Sequence, residues 1–368
     1  MHIGRDEFGR LCNKTQSVFY GTLVLHVCFF VGILTEVVRG VLLGLPSNPN
    51  LPALFIGIFF SVRGVMIYVK HADIFEFLNI LDEEFPHDLA AQQAMRAPQI
   101  YERFQVRYNY VAYIIQSAIV GFCAVPPIVY AFTRDVNGPI REEQQLLGGW
   151  LPFGIRENHN LYILAWLYDI MCSCSGTAYF CTFDTIFNTM ILHIIMHLDD
   201  LAWQLQSLDL TSEAHSEIYK QFCRLIHRHR YLNSFCDKFN SIFNLSIMIT
   251  DLVAAAAICF HLYLVTETQD FLMKSRYMMV GVALVAFTYE ICLRGTQLEE
   301  ASSKLNGILY NQSWYVCDKR TRKLILMWIK YTQCTKKLNA FGLMELNMVH
   351  FSQIMNLAYR LFAFLKSA

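Results

Sequence analysis

The sequence predicts an all-α membrane protein with seven transmembrane helices, its N-terminus in the cytosol and its C-terminus outside the cell. Three observations predict this class. The 368 residues are 55% hydrophobic and only 16% charged, which is too apolar for an ordinary soluble domain. Apolar segments of about 20 residues, the length of a membrane-spanning helix, recur along the chain. Basic residues are concentrated in alternate connecting segments.

Six apolar segments have the length that a helix needs to cross the hydrocarbon core. They are residues 17–45, 51–69, 107–133, 161–198, 239–265 and 276–293. A seventh segment, residues 345–365, is interrupted by polar side chains, so we expect it to face protein or water rather than lipid. The fourth segment would be about 57 Å long as a helix, so its C-terminal half should extend beyond the membrane.

The distribution of Lys and Arg predicts the side of the membrane on which each connecting segment lies, because basic residues are retained in the cytosol. One set of segments holds 20 of these residues and the alternate set holds 4. The first set comprises residues 1–17, 70–106, 197–238 and 294–344, and the second comprises residues 46–50, 134–160 and 266–275. The first set is therefore cytosolic, and the topology is inverted relative to G-protein-coupled receptors.

The cytosolic segments carry amphipathic helical patterns, such as Leu198, Leu201 and Leu205. These patterns predict a helical cytoplasmic anchor layer that packs subunits together. We divide the chain accordingly. Residues 1–293 contain spans one to six, an outer-half ligand pocket and long cytoplasmic helix extensions, and residues 294–368 contain the anchor helices and a pore-lining seventh span.

Two histidines form the strongest candidate for chemistry. His193 and His197 lie four positions apart on one helical face and could bind a metal if a third ligand converged on them. The alternative is a pair of interfacial histidines where the fourth helix leaves the membrane. The sequence has no nucleophile elbow, phosphate-binding glycine loop or paired CxxC motif, so we predict no enzyme, no metal and no cofactor.

Charged residues at membrane depth are candidates for function. They are Glu36, Arg63, Asp169, Asp184, Asp251 and Glu290. Glu36 lies three positions before Arg39, which predicts a local ion pair. Glu290 lies four positions before Arg294, which predicts a second. Asp169 has no local basic partner, so it either lines a cavity or meets Arg63.

Aromatic and sulfur-containing residues crowd the outer halves of spans two, three, four and six. They are Phe55, Phe59, Phe122, Tyr130, Tyr162, Trp166, Tyr277, Met278 and Met279. An apolar pocket with few polar groups suits a small volatile ligand, so we predict that these residues and Asp169 bind one. Ordinary helix packing or an interfacial aromatic belt explains any single residue equally well.

The last span carries a polar stripe at Ser352, Asn356 and Arg360, spaced by four residues on one helical face. Repeated by symmetry in an oligomer, this stripe could line an ion pathway. A buried helix-to-helix face gives the same pattern.

Short motifs along the chain resemble those of the insect odorant receptors. Gly149-Trp150-Leu151-Pro152-Phe153 followed by Tyr162 is similar to the start of that family's fourth span. A denser series follows near the C-terminus: Cys292, Gly295, Ser302, Leu309-Tyr310, Trp314, residues 319–323, Phe351, Ile354 and Tyr359. Their order and spacing carry the resemblance, which covers nearly the whole chain.

The resemblance implies an odorant-gated, non-selective cation channel in the plasma membrane of olfactory sensory neurons. A ligand-tuned subunit assembles there with the olfactory co-receptor as a heterotetramer. The seventh helix lines the pore, with gate side chains three and seven positions after the conserved Tyr359, which are Phe362 and Lys366. We expect a small aromatic or heterocyclic odorant, membrane lipid and permeating cations as partners, and no nucleic acid.

Arg360 departs from the family pattern, which has serine after the tyrosine. A basic side chain facing the lumen would repel cations. We therefore expect Arg360 to point toward a neighbouring subunit, with the co-receptor supplying most of the pore wall. Two other function classes stay open from the residues alone. They are a seven-span receptor that signals through a G protein and a zinc-dependent seven-span membrane hydrolase.

Overall fold

The computed structural model describes residues 5–43, 51–85, 89–94, 97–133, 159–210 and 215–367. Within them lie ten α-helices: α1 (Arg5–Leu42), α2 (Leu51–Val69), α3 (His71–Glu84), α4 (Leu89–Ala94), α5 (Ala97–Thr133), α6 (His159–Gln206), α7 (His215–Glu267), α8 (Phe271–Asn311), α9 (Lys319–Thr332) and α10 (Met348–Ser367). A 3-10 turn at Trp314–Val316 precedes α9. Strands β1 (Asn339–Ala340) and β2 (Met344–Glu345) form an antiparallel hairpin before α10.

Each of the seven predicted spans falls largely within a helix of its own, namely α1, α2, α5, α6, α7, α8 and α10 in chain order. In the described ranges, α1, α6, α7 and α8 are long and apolar enough to cross a membrane by themselves. The apolar helix α2 meets α3 at a bend of 69°, and together they form a fifth candidate. The motif at residues 149–153 lies outside the described residues.

Three helices are far longer than a bilayer requires. α6 has 48 residues, α7 has 53 and α8 has 41. At 1.5 Å per residue they measure about 60 to 80 Å, against a hydrocarbon core of about 30 Å. They therefore continue into a helical layer, as the sequence predicts. α8 runs unbroken through residues 293 and 294, so no linker separates the two predicted segments of the chain.

The main hydrophobic core lies in the cytoplasmic half of the bundle. Phe187 on α6 contacts Phe239 and Phe243 on α7, with ring centroids 5.2 and 5.3 Å apart. Nearer the N-terminus of α7, the indole Nε1 of Trp328 on α9 donates a 3.0 Å hydrogen bond to Nδ1 of His229. Both side chains are buried, so α9 is held on α7 by apolar contact and by a satisfied polar pair.

The segment that leads into α10 is fixed tightly on α8. A Cβ added at Gly295 would lie 1.7 Å from the carbonyl oxygen of Leu346, so the hairpin backbone approaches α8 where only glycine leaves room. Two turns of α8 further on, Ser302 Oγ accepts a 2.9 Å hydrogen bond from the backbone N–H of Lys336. Lys337 forms salt bridges with Glu299 and Glu345 at 3.3 and 2.8 Å.

Candidate functional site

The outer part of the candidate ligand site is built by α5, α6 and α8. The rings of Tyr130 on α5 and Tyr162 on α6 stack with centroids 4.1 Å apart. Tyr162 is buried, and Asp169 and Arg276 lie close enough to interact with it electrostatically. Trp166 is half-buried one helical turn along α6. The structure thus brings Tyr130, Tyr162, Asp169 and Arg276 into one aromatic and charged cluster.

Arg276 is a residue of this cluster that sequence reasoning missed. The side chain is buried, and its Nη1 lies 3.2 Å from Sδ of Met273. Arg276 is the first residue of the predicted sixth span, where an arginine is typical of an anchor at the membrane interface. Only the helix packing reveals that it points into the bundle.

A second aromatic group lies around α2, deeper in the bundle. Phe55 stacks on Phe260 of α7 with ring centroids 5.4 Å apart. Phe59, one turn further on, contacts Phe180 of α6 at 6.2 Å and Phe287 of α8 at 5.5 Å. Phe59 is fully enclosed, and it also lines a small cavity between α2, α7 and α8.

Arg63 occupies the centre of this deeper group. Its guanidinium carbon lies over four phenyl rings, at 3.9, 4.1, 4.6 and 4.7 Å from the centroids of Phe287, Phe59, Phe183 and Phe180. Within the described residues, none of its three side-chain nitrogens has a hydrogen-bond partner. Cation–π contact is the attraction that replaces those bonds in a dry interior. Among the described residues, Asp184 of α6 is the carboxylate that interacts with Arg63, and Asp169 interacts with Tyr162 of the outer cluster.

The predicted local ion pairs have different outcomes. Arg39 and Glu36 are paired at 3.4 Å. Glu290 does not pair with Arg294, and this prediction is wrong. Arg107 of α5 bonds Glu290 through two nitrogens at 2.6 Å. Arg294 instead donates to Asn188 of α6 and to Gln297, both at 2.9 Å. For Glu290 the contact between helices replaces the local pair, because α5 places Arg107 within 2.6 Å of its carboxylate.

The remaining predicted ligand-site residues on α8 differ in exposure. Met278 is 53% exposed on α8, so it faces away from the protomer interior. Tyr277 and Met279 are half-buried. The side chain of Phe122 lies outside the described residues.

The candidate pore helix α10 is only partly covered by its own protomer. Ile354 and Ala358 are its buried residues. The polar stripe is exposed, as are Tyr359 and Lys366, whereas Phe362 is half-buried and its ring centroid lies 6.4 Å from that of Tyr359. Among the predicted pore residues, the exposed ones are Ser352, Asn356, Tyr359, Arg360 and Lys366.

The two histidines considered for metal binding are in a closed environment. Nε2 of His193 lies 2.5 Å from the hydroxyl of Tyr101, and His197 is buried. In the described part of the chain, no group of three or more His, Cys, Asp or Glu side chains is arranged to hold a metal ion.

These features define a multi-pass helical membrane protein with an aromatic interior and a partly uncovered last helix. The chain matches the family described as 7tm Odorant receptor over residues 47–359. It is 42% identical to Odorant receptor 88a of Drosophila melanogaster over 97% of this chain and 90% of that protein. It is 22% identical to Odorant receptor 67c of the same species over 79% of this chain and 72% of that protein.

Solved structures share the fold. The insect olfactory receptor OR5 from Machilis hrabei superposes with a TM-score of 0.82, at 13% identity, over 99% of this chain and 92% of that one. Its complex with eugenol gives a TM-score of 0.75, also at 13% identity, over 100% and 92%. The chain therefore belongs to the 7tm odorant receptor family and has its seven-helix fold. Because this is a family of receptors, the prediction that the chain is not an enzyme is confirmed.

Proposed function

We propose that the chain is the odorant-binding subunit of an odorant-gated, non-selective cation channel. It assembles with the olfactory co-receptor as a heterotetramer in the plasma membrane of olfactory sensory neurons. The single observation that carries this proposal is the state of α10. In the seven-helix fold, α10 is the seventh span. A membrane helix with a continuous exposed polar stripe needs water or another subunit beside that stripe, because lipid would leave it unsolvated.

The ligand is a small volatile odorant with an aromatic or heterocyclic ring. The outer cluster offers the stacked rings of Tyr130 and Tyr162, and the deeper group offers Phe55 and Phe59. Ring faces of this kind bind aromatic molecules through offset stacking, with a few polar groups that set orientation. The complex of a related receptor with eugenol, an aromatic odorant, supports this class of ligand.

The cation pathway is lined by α10, with Tyr359, Phe362 and Lys366 near the gate. Arg360 is exposed on the stripe, where a cation facing the lumen would repel permeant ions. We place it toward a neighbouring subunit, and co-receptor subunits supply most of the pore wall. Neutralising Arg360 to glutamine should leave the ratio of sodium to potassium permeability nearly unchanged. A large shift in that ratio would contradict the placement.

Patch-clamp recording tests the function directly. Cells expressing this chain with the co-receptor should carry a cation current when a panel of aromatic and heterocyclic odorants is applied. Cells expressing either subunit alone serve as controls. The absence of any odorant-evoked current beyond that of the co-receptor alone, with both subunits present at the surface, would overturn the proposal.

Orientation separates this function from a G-protein-coupled receptor. An epitope tag at the N-terminus should be inaccessible to antibody in intact cells, and one at the C-terminus should be accessible, because the basic segments are cytosolic. The opposite labelling would favour a G-protein-coupled receptor. A zinc-dependent hydrolase would bind metal through His193 and His197, and elemental analysis of purified protein should find no stoichiometric zinc.

A further inference from the structure

The polar contacts of α10 with its own protomer are concentrated in the first turn. The carbonyl end of the Asn347 side chain accepts from the N–H of His350 at 3.0 Å, which caps the helix. The N–H of Met348 donates to Thr296 Oγ1 of α8 at 3.0 Å. Further along, the helix is held by the buried side chains of Ile354 and Ala358 and by half-buried neighbours. Beyond the first turn, movement of α10 would therefore break mainly apolar contacts.

One ion pair ties this first turn to the rest of the bundle. Nε2 of His350 lies 2.5 Å from Oδ2 of Asp251 on α7, with side chains 14% and 9% exposed. Nδ1 of the same histidine lies 3.4 Å from Oε1 of Gln353. Cys292 of α8 is the other titratable group beside the carboxylate. A pair this short and this enclosed is weakly screened by salt, so it contributes more than a surface pair.

A small cavity extends from this pair toward the candidate ligand site. Asp251 and Thr250 of α7 line one part of it, and Thr288 of α8 adds a second hydroxyl. Phe59 and Phe287 line another part, and both rings also contact Arg63. The deeper aromatic group and Asp251, which bonds His350 in the first turn of α10, therefore border the same space.

We propose that Asp251 and His350 form a gating joint, which holds α10 against α7 in the closed channel. A ligand that displaces Phe59 changes the wall of the shared cavity, and the strength of the joint determines how readily α10 follows. This inference rests on the proposed function, since it requires that α10 lines a pore. Both residues act by positioning the helix and need not touch ligand or permeant ion. A ligand opens the channel only by binding the open arrangement better than the closed one. Weakening the contact between Asp251 and His350 therefore lowers the free energy that ligand binding has to supply.

A double-mutant cycle tests the joint in the full chain expressed with the co-receptor. The variants are Asp251→Asn, His350→Gln, the two together, and the exchange Asp251→His with His350→Asp. The measured quantity is ligand-free sodium current divided by surface protein from biotinylation, with cells expressing the co-receptor alone as baseline. Each single variant should raise the ratio of open to closed channels roughly tenfold, the range of a hydrogen bond to a charged group. The double variant should raise this ratio little beyond either single variant. The exchange should return the ratio toward the wild-type value.

A matched control removes an ion pair away from α10. Lys336 and Asp237 are paired at 2.7 Å in an exposed part of the cytoplasmic layer, so Asp237→Asn should leave the ligand-free current unchanged. If Asp251→Asn does not reach the surface, Asp251→Glu keeps the carboxylate and replaces it in the cycle. Its shift should be smaller than that of His350→Gln.

Additive single effects, or a ligand-free current per surface channel equal to or below wild type, would overturn the joint. A wild-type chain that carries no odorant-evoked current with the co-receptor would instead contradict the channel function itself. The two failures are therefore distinguishable.

Discussion

The two ends of the same helix, α6, are surrounded in different ways. Residues 161–171, in the outer half of the membrane, are buried only at Tyr162 and Ala165. Residues 190–198, at the cytoplasmic end, are buried at every position except His193. A helix that is enclosed on all sides serves as a scaffold, and one that is open on most sides has room for lipid or ligand. Substitutions should therefore affect folding at one end and odorant sensitivity at the other.

The largest effect should follow from Gly295→Ala, at the closest backbone approach in the scaffold. The new Cβ would lie 1.7 Å from the Leu346 carbonyl oxygen, so the hairpin before α10 has to move. We expect most of the surface protein and the odorant-evoked current to be lost, since such strain costs several times the roughly 1 kcal/mol typical of a single substitution. The matched control is Gly307→Ala on the same helix, where a Cβ meets nothing within 4 Å among described residues. Equal surface levels of the two variants would contradict the close approach.

Helices depend on local sequence, whereas the contacts between them depend on residues far apart in the chain. This difference explains what could be predicted from the sequence. Length and hydropathy are local properties, so the seven spans and the long cytoplasmic extensions were predictable. The partner of Glu290 was not, because Arg107 precedes it by 183 positions and only the packing of α5 on α8 brings them together. The need for glycine at position 295 appears in the sequence only as a family motif, since its cause is the backbone of a hairpin about fifty residues away.

Arg63→Met should have the next largest effect, because the cage around Arg63 joins three helices. Methionine fills similar space but removes the charge that acts most strongly on Asp184, and Arg294 interacts with that carboxylate more weakly. Leaving a buried charge with less compensation is destabilising. We expect a clear fall in Tm for purified protein in detergent. Arg39→Met, which removes the 60% exposed arginine of the Glu36 pair, should change Tm little. A similar Tm for both variants would mean that the cage contributes no stability.

A pH-dependent stability should arise in the cytoplasmic layer from His229. Burial, with a smaller contribution from Lys336, lowers the pKa of His229 from 6.5 to about 4. The unfolded chain then binds more protons between these values, so stability is complete above pH 6.5 and falls as the pH drops toward 4. The total loss from this group is about 3 kcal/mol. The measurement is Tm against pH, compared with His229→Gln, in which this part of the pH dependence should be absent.

The control for that comparison is the exposed His227, two positions earlier on α7. His227→Gln should retain the wild-type slope of Tm against pH, because it leaves the buried His229 in place. A reduced slope in His227→Gln, or an undiminished slope in His229→Gln, would assign this acid sensitivity to other groups.

Tyr162→Ala, in the open half of α6, should have the smallest effect on folding and the most specific effect on odorant sensitivity. The ring stacks on Tyr130 but lies where few neighbours are buried, so Tm should fall by less than in Arg63→Met. The odorant concentration for half-maximal current should rise about tenfold for aromatic odorants, as expected when a stacking partner is lost. Tyr162→Phe keeps the ring and should respond to odorants almost as wild type does. Tyr110 is 69% exposed on α5, so Tyr110→Ala should leave both Tm and odorant sensitivity unchanged. If Tyr162→Ala instead lowered Tm as much as Arg63→Met while leaving odorant sensitivity intact, the open half of α6 would belong to the scaffold too.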